Sequence, residues 1–143
     1  MEKTKETKET ETDNKTLIYH SCYGTDAKVS LDIQMYYRNG NICIELNDED
    51  YKEPYGCLTV NFCDATPNYC SYVDVNNMPE AEDFIVENKL GVFTGLVKES
   101  GFVRYPLYMF DAERLRELCP DGMIVYEKGK GIQSVQKQKE EKR

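Results

Sequence analysis

The sequence predicts an α+β domain with a mainly antiparallel sheet that is built from hairpins and carries two short helices. Three observations lead to this prediction. Apolar and polar residues alternate along runs in the first half of the chain, which is the two-residue period of a half-buried strand. Turn residues separate these runs, as they do in hairpins. Two segments of the second half instead place apolar residues three and four positions apart, the spacing of a helix face.

The first half of the chain is predicted to form strands. Val29, Leu31 and Ile33 alternate with polar residues, and Asn39-Gly40 follows them. An Asn-Gly pair between two such runs favours a two-residue hairpin turn, because both turn positions need positive φ. The predicted strands cover 29–37, 41–46, 55–62 and 69–75, with an acidic loop at 48–50.

The second half is predicted to contain the helices. Asn77 would cap the first helix, with Glu80 completing a capping box, and Gly91 would end it. Asp111 would cap the second helix, which Pro120 follows. Further strands are predicted at 92–99, 102–108 and 123–126, the first two forming a hairpin that turns at 100–101.

Both ends of the chain differ in composition from its middle. Residues 1–16 contain no apolar residue after Met1, and residues 127–143 contain only two, Ile132 and Val135. Such segments cannot bury enough surface to offset the entropy lost on ordering. We therefore expect a disordered charged tail over 1–16, a single domain over 17–126 and a disordered basic tail over 127–143.

The predicted domain is strongly acidic. Residues 17–126 hold 18 acidic and 8 basic side chains, within a net charge of -8 for the whole chain. This balance disfavours a phosphate-binding body, since nucleic-acid affinity depends on cationic side chains. A nucleic-acid-binding module that uses Arg38, Arg104 and the basic tail is the third hypothesis for the function.

No hydrophobic leader is visible, and no apolar run approaches the roughly 18 residues of a membrane span. We expect a cytoplasmic protein that binds no membrane and whose six cysteines are reduced. None of the cysteines forms a Cys-x-x-Cys pair, so neither a metal site nor a cofactor is expected.

The first predicted helix carries the main candidate binding residues, Glu80, Glu82, Asp83 and Glu87. No basic residue interrupts them, and their density is roughly one charge per 2.6 Å of helix axis. Duplex DNA has about one charge per 1.7 Å, so this face could imitate a phosphate backbone towards a basic protein. The alternative is that acidic residues simply favour the N-terminus of a helix, which explains Glu87 least well. The loop residues Asp48, Glu49 and Asp50 complete the candidate surface, or are solvated loop charges.

A small enzyme is the second hypothesis for the function. Its polar site would lie around Asp74, Asn76, Asn77 and Tyr105. Asn residues also make local hydrogen bonds in turns and caps, which is the simpler interpretation. The chain has one His, His20, and no glycine-rich phosphate loop, so a non-enzymatic protein is expected.

Several ordered motifs in the middle of the chain resemble a small bacterial family described only as a domain of unknown function. The motifs are Asn39-Gly40-Asn41, the run from Glu53 to Asn61, the run from Tyr72 to Pro79, the run from Phe84 to Asn88, Leu90-Gly91, Thr94-Gly95 and Ser100-Gly101-Phe102. Members of that family occur on conjugative elements, plasmids and phages of Gram-positive gut bacteria. The similarity covers about 36–111 and implies a mobile-element accessory protein, with no catalytic residues to carry over.

The first hypothesis for the function follows from charge and resemblance together. It is a non-enzymatic acidic accessory protein of a mobile genetic element. It would bind a basic, nucleic-acid-handling host protein and inhibit it in an anti-defence role, of the anti-CRISPR or anti-restriction type.

Overall fold

The computed structural model describes residues 15–132, and most of each predicted tail, 1–14 and 133–143, lies outside the described residues. Within the described range the chain forms two four-stranded antiparallel sheets and three helices. This arrangement confirms the predicted α+β class with antiparallel pairing. It has one sheet and one helix more than the sequence analysis proposed.

The first sheet has the strand order β1-β2-β3-β4. Its strands are β1 Thr16–His20, β2 Asp26–Met35, β3 Ile42–Asp48 and β4 Glu53–Cys57. The predicted alternation places Val29, Leu31 and Ile33 in the core. The sequence analysis missed β1, whose buried residues Leu17 and Tyr19 are separated by an apolar residue, Ile18, so that no alternation of apolar and polar residues marks the strand.

The predicted two-residue turn at Asn39-Gly40 is wrong. Met35 of β2 pairs with Ile42 of β3, so the loop between them has six residues, and within Asn39-Gly40 only Gly40 has positive φ. The Asn39 amide nitrogen instead donates to the carbonyl oxygens of Phe62 at 2.8 Å and Asp64 at 3.2 Å. This tertiary contact explains the longer loop, because Asn39 holds the distant segment rather than closing a tight turn.

The predicted strand at 55–62 divides between the two sheets. β4 ends at Cys57, and the short β5, Thr59–Val60, belongs to the second sheet. Leu58 lies between them and is fully buried. Its N–H donates to Ile44 O at 2.8 Å, and its carbonyl accepts from Asp74 N at 2.9 Å. Leu58 therefore joins the sheets through its backbone.

The second sheet has the strand order β5-β6-β8-β7 and leaves β7 at an edge. Its remaining strands are β6 Cys70–Val73, β7 Gly91–Ser100 and β8 Val103–Phe110. The predicted β7–β8 hairpin is confirmed, since Ser100 pairs with Val103 and Gly101 turns the chain with φ 63°.

The first helix, α1 (Ala81–Glu87), begins later than predicted. Asn77 is not its cap, because its side chain and N–H both donate to the Asp74 carboxylate and form a separate turn. Glu80 occupies the N-cap position but makes no side-chain capping bond. Gly91 does not end the helix either. It opens β7, where a Cβ would lie 2.6 Å from Met109 O.

Two further helices follow β8. They are α2, Ala112–Leu118, and α3, Pro120–Lys130. Asp111 caps α2 as predicted by accepting from the N–H groups of Glu113 and Arg114. The predicted strand at 123–126 is wrong, because these residues lie inside α3 and turn Met123 and Tyr126 into the core.

α3 extends to Lys130, beyond the predicted domain end at 126. Its Glu127 is buried and accepts hydrogen bonds from Tyr69 at 2.5 Å and Arg116 at 2.7 Å. Residues 127–130 are therefore part of the folded body. No helix in the described range is long and apolar enough to span a membrane.

Candidate functional site

α1 positions the acidic residues that the sequence analysis selected. The helix turns three residues into the core, Ala81, Phe84 and Ile85. Asp83, Val86 and Glu87 face solvent on its other side. Glu80, Asp83 and Glu87 line one shallow depression of about 240 Å³ together with His20. The spacing of three and four thus brings these carboxylates to one side of α1.

Two of the four helix carboxylates are tied to the body by buried or half-buried tyrosines. Glu80 accepts a hydrogen bond from the Tyr19 hydroxyl at 3.0 Å, and Glu82 accepts one from Tyr108 at 2.5 Å. The Cys22 thiol and the Tyr19 hydroxyl hold the pKa of Glu80 below its usual value, so this carboxylate stays ionised. Burial and then the contact with Glu82 raise the pKa of Tyr108, which keeps its hydroxyl protonated as a donor.

The other two helix carboxylates are more accessible. Asp83 is exposed and makes no hydrogen bond or ion pair within residues 15–132. Glu87 lies 3.9 Å from the His20 ring, whose other nitrogen is 2.9 Å from Asp26. The hydrogen bond to Asp26 raises the pKa of His20. Asp83 and Glu87 are therefore the helix carboxylates that a partner can reach most readily.

The acidic loop at 48–50 is the tight connection between β3 and β4. Asp48 accepts from the N–H groups of Asp50 and Tyr51, which is a local turn. Glu49 accepts from the Ser30 hydroxyl at 2.5 Å, and this bond is the main cause of its lowered pKa. Asp50 is exposed. Two of the three loop carboxylates thus have structural partners.

Tyr55 lies within electrostatic reach of both the acidic loop and the start of α1. Burial raises the pKa of Tyr55, and the negative charges of Glu80 and Asp48 raise it further. Both carboxylates therefore lie within electrostatic reach of one phenol. The acidic loop and the start of α1 belong to the same region of the surface.

An apolar groove of about 750 Å³ lies beside α1 and was not predicted from the sequence. Four of its apolar side chains are strongly exposed, Val86 at 63%, Val92 at 64%, Phe93 at 49% and Met109 at 50%. Val86 lines both this groove and the acidic depression, so it separates the two. The remaining lining residues are Lys89, Gly91, Tyr108, Phe110, Asp111 and Ala112.

The groove surrounds the first residues of the edge strand β7. Pairing of β7 with β8 is interrupted between Phe93 and Val97, where Gly95 has φ 93°. The Thr94 hydroxyl donates to Leu107 O at 2.8 Å and holds this bulge in place. Bulges of this kind interrupt regular strand pairing at a sheet edge. Leu96, at the bulge, remains 63% exposed.

Sequence reasoning missed the groove because Val92 and Phe93 were assigned to an ordinary half-buried strand. Their exposure depends on β7 being the edge of the second sheet and on α1 packing at one side. The only sequence signal was Val86, an apolar residue between Asp83 and Glu87 on the outer side of the helix.

Of the residues of the predicted enzyme site, Asp74, Asn76 and Asn77 lie together, whereas Tyr105 lies apart from them. Asp74 is buried and accepts from Asn77, while Asn76 and Asn77 line a second cavity of about 340 Å³. Tyr105 packs its ring 5.2 Å from that of Phe62, in a different cluster. The second cavity instead gathers polar groups of Tyr19, Ser21, Tyr55 and Glu80.

The predicted nucleic-acid contacts Arg38 and Arg104 have different partners, and Lys98 is a further cation that the sequence analysis did not name. Arg104 lies 3.5 Å from Glu99, and Arg38 lies 3.9 Å from the Cys63 sulfur. Lys98 sits 5.6 Å from the centre of the Phe62 ring and forms an ion pair at 3.2 Å with another residue, Asp64. Carboxylates thus accompany two of these three cations.

Potential metal-ligating side chains meet on the outer side of the first sheet. The ligand atoms of Cys43, Glu45 and Cys57 lie within 4.8 Å of one another. A hydrogen bond from Cys43 lowers the pKa of Cys57, whereas the same contact and burial raise the pKa of Cys43.

A protein-family model described as "Domain of unknown function (DUF4313)" matches residues 30–130. The match covers more than half of the chain and extends from β2 to the end of α3. No curated protein and no solved structure matches the chain. The match confirms the resemblance to a domain of unknown function, and the mobile-element context stays a prediction.

Proposed function

We propose that this chain, which belongs to the DUF4313 family of unknown function, is a non-enzymatic interaction protein that binds a basic partner. The partner would dock on the apolar groove beside α1 and on the carboxylates of Asp83 and Glu87. We further propose that the partner handles nucleic acid and that binding inhibits it, as in an anti-defence protein of a mobile genetic element.

The observation that carries this proposal is the contact between an exposed apolar groove and an acidic depression through Val86. Exposed apolar patches with a polar rim are typical of protein interaction sites. The apolar side chains would supply most of the affinity. The carboxylates would select a partner with a basic rim and accelerate its association.

The overall charge supports a basic partner. The predicted domain carries 18 acidic and 8 basic side chains, so its field attracts cationic surfaces over a distance that salt shortens. A basic surface that normally meets phosphates fits this field. The resemblance to mobile-element proteins favours a host defence enzyme as this partner.

Imitation of a phosphate backbone is a smaller part of this proposal than the sequence suggested. Glu80 and Glu82 are held by tyrosine hydroxyls, which leaves Asp83 and Glu87 as the most accessible pair. Two accessible charges beside an apolar groove favour mixed docking over recognition by charge alone.

Affinity capture with matched variants tests the proposal. Immobilised wild-type protein is incubated with lysate from a bacterial host of the parent element, and the retained proteins are compared with those of Val92→Asp and of Asp83→Asn/Glu87→Gln. We expect a basic protein to be lost with Val92→Asp and to be released by salt more easily with the double variant. Retention of the same protein by every variant would contradict the proposal that the groove is the docking site.

Two control variants match these changes. Val125 on α3 is 62% exposed, close to the 64% of Val92, and lies outside the groove. Glu113 and Asp121 are exposed carboxylates near the starts of α2 and α3. Val125→Asp and Glu113→Gln/Asp121→Asn should retain the partner as the wild type does.

A small enzyme remains the second candidate, and the cavity around Asn76, Asn77 and Glu80 is the observation that favours it. Small-molecule sites are concave and contain a few convergent polar groups. A metabolite-library thermal-shift screen tests this candidate. A ligand that stabilises the wild type but not Asn76→Ala would support it.

A further inference from the structure

The outer side of the first sheet brings three potential metal ligands together from two strands. Cys43 and Glu45 are two residues apart on β3, so their side chains leave the same face of the sheet. Cys57 of β4 lies directly opposite Glu45 in the strand register. The three ligand atoms lie within 4.8 Å of one another, with Cys43 buried and the other two half-buried.

We propose that Cys43, Glu45 and Cys57 form a binding site for a divalent cation that prefers thiolate ligands, with Zn²⁺ as the best fit. Zinc is bound in proteins by cysteine sulfur, histidine nitrogen and carboxylate oxygen, usually in four-coordinate geometry. Two sulfur ligands disfavour the hard cations Mg²⁺ and Ca²⁺, which take oxygen ligands. This site is independent of the proposed interaction surface.

The geometry is close to that of a zinc site. Tetrahedral bond lengths to sulfur and oxygen place neighbouring ligand atoms about 3.3–3.8 Å apart. The ligand atoms here lie within 4.8 Å of one another. Side-chain rotations that shorten the distances between them by roughly 1 Å would therefore give the spacing of a zinc site. Cys57 and Glu45 are only half-buried, which leaves them room to rotate. A water molecule would complete the coordination at the open side.

The surrounding groups suit a deprotonated thiol. The Tyr36 hydroxyl lies 3.7 Å from the Cys57 sulfur and 2.9 Å from the Thr59 hydroxyl. Thr59 in turn accepts from Ile44 N at 3.2 Å. Hydroxyl and backbone groups of this kind orient metal ligands and tune their basicity. Metal binding would release the thiol protons of both Cys43 and Cys57 to solvent, after which the Tyr36 hydroxyl can donate to the Cys57 sulfur.

The register disfavours a disulfide as the role of this cysteine pair. Cys57 faces Glu45 directly, so Cys43 is its diagonal neighbour on the next pair of positions. Diagonal neighbours in an antiparallel pair lie about 7–8 Å apart, whereas the Cα atoms of a disulfide are about 4.4–6.8 Å apart. A metal ion bound by both sulfurs would bridge this longer distance between Cys43 and Cys57. The Glu45 carboxylate would be its third ligand.

A metal here would bridge β3 and β4 next to Leu58, where the chain passes from one sheet to the other. Because the three ligands meet only in the folded chain, binding would stabilise the native state by an amount that grows with the logarithm of the free metal concentration. The expected role is therefore structural. The sequence analysis missed this site because the ligands Cys43-x-Glu45 and Cys57 match no known spacing of zinc ligands.

Cobalt titration tests the proposal. The full chain is purified with a reductant, stripped with a chelator and titrated with Co²⁺, whose thiolate charge-transfer and d–d bands report the ligands. We expect one Co²⁺ per chain with bands of a tetrahedral thiolate site, and full displacement by Zn²⁺. Absence of these bands when the reduced, metal-stripped protein is titrated would overturn the proposal.

Variants identify the ligands and provide the control. Cys57→Ser should cut the charge-transfer intensity by about half or abolish binding, since one of two thiolates is lost. Glu45→Gln should weaken Co²⁺ binding. Tyr36→Phe should weaken it by roughly tenfold, because the Cys57 sulfur loses the neighbouring hydroxyl. Cys63→Ser, at an exposed cysteine outside the cluster, should bind as the wild type does. Unchanged bands in both Cys57→Ser and Glu45→Gln would overturn the proposal even if Cys43→Ser fails to fold.

Discussion

Tyrosine hydroxyls donate to carboxylates at four places within residues 15–132, and the contact of Tyr72 with Asp64 is the most exposed of the four. In the other three, Tyr19 donates to Glu80, Tyr108 donates to Glu82 and Tyr69 donates to Glu127. Burial raises the pKa of each of these three tyrosines, and the neighbouring carboxylate raises it further. Each hydroxyl therefore stays protonated. As a hydrogen-bond donor it offsets the free-energy cost of desolvating an acidic side chain.

Removing one of these hydroxyls should destabilise the fold. Tyr108→Phe keeps the ring in the core but leaves Glu82 without its donor, so we expect the free energy of unfolding to fall by about 1–3 kcal/mol. Urea denaturation measures the change. Tyr37→Phe is the control, because the Tyr37 side chain is fully exposed. This variant should unfold at the same urea concentration as the wild type. Equal stability of the two variants would contradict a structural role for the Tyr108 hydroxyl.

The contact between Ser30 and Glu49 should make stability depend on pH. The hydrogen bond from Ser30 lowers the pKa of Glu49 in the folded chain, so the unfolded chain takes up a proton first as pH falls. The stabilisation is fully present above the unfolded pKa of about 4.3 and is lost as pH drops through the folded value. Ser30→Ala should reduce this loss, which thermal unfolding at several pH values between about 6 and 3 would measure. The same pH dependence in both proteins would contradict this assignment.

Residue-scale predictions from the sequence succeeded where the partner is local. Asp111 caps α2 through N–H groups two and three residues away, and its neighbours in the sequence identify it. Asn77 has the same capping chemistry, but its N–H and side-chain amide donate to the Asp74 carboxylate in a separate turn, and the helix begins only at Ala81. The tyrosine partners of Glu80 and Glu82 are 61 and 26 residues away, which local patterns do not encode.

At the scale of elements, α3 shows how packing decides an ambiguous segment. The run 123–126 is short and apolar, so its periodicity does not separate strand from helix. Its identity follows from packing on β2, where Gly122 brings the backbone of α3 against Ile33. A Cβ on Gly122 would lie 2.5 Å from the Ile33 carbonyl oxygen.

Two glycines of α3 should respond differently to alanine. Both substitutions gain up to about 1 kcal/mol of helix propensity. Gly122→Ala would force the Ile33 backbone away and should destabilise the fold by about 1–3 kcal/mol net. Gly129→Ala meets only the sulfur and terminal methyl of Met35, which can rotate, so it should be neutral or stabilising. Thermal unfolding compares the two, and equal melting temperatures would contradict the packing of α3 on β2.

The edge strand β7 is the element that sequence patterns describe least completely. Its bounds were predicted within one residue and its pairing with β8 is confirmed, but its place at the edge of the second sheet depends on strand order. That place exposes Val92 and Phe93 and creates the groove. Strand order is a property of long-range contacts, which alternation within one strand does not specify.

At the scale of the whole molecule, the fold class follows from composition and periodicity, whereas the division into two sheets does not. Leu58 alone separates β4 from β5, and nothing in its neighbours marks the point where the chain changes sheets. The acidic charge of the domain was visible from the sequence, and it keeps its role in the proposed function. In the proposed function, the apolar groove beside the acidic depression would add a second source of affinity for the partner.

Site-specific photocrosslinking tests the central claim most directly, because it reports what touches the groove. A photoreactive amino acid replaces Val92 in one protein and, as the control, the equally exposed Val125 in another. After irradiation in host cells, we predict that the Val92 position forms a covalent adduct with one basic protein and that the Val125 position does not. No adduct at Val92, or the same adducts at both positions, would contradict a docking surface beside α1.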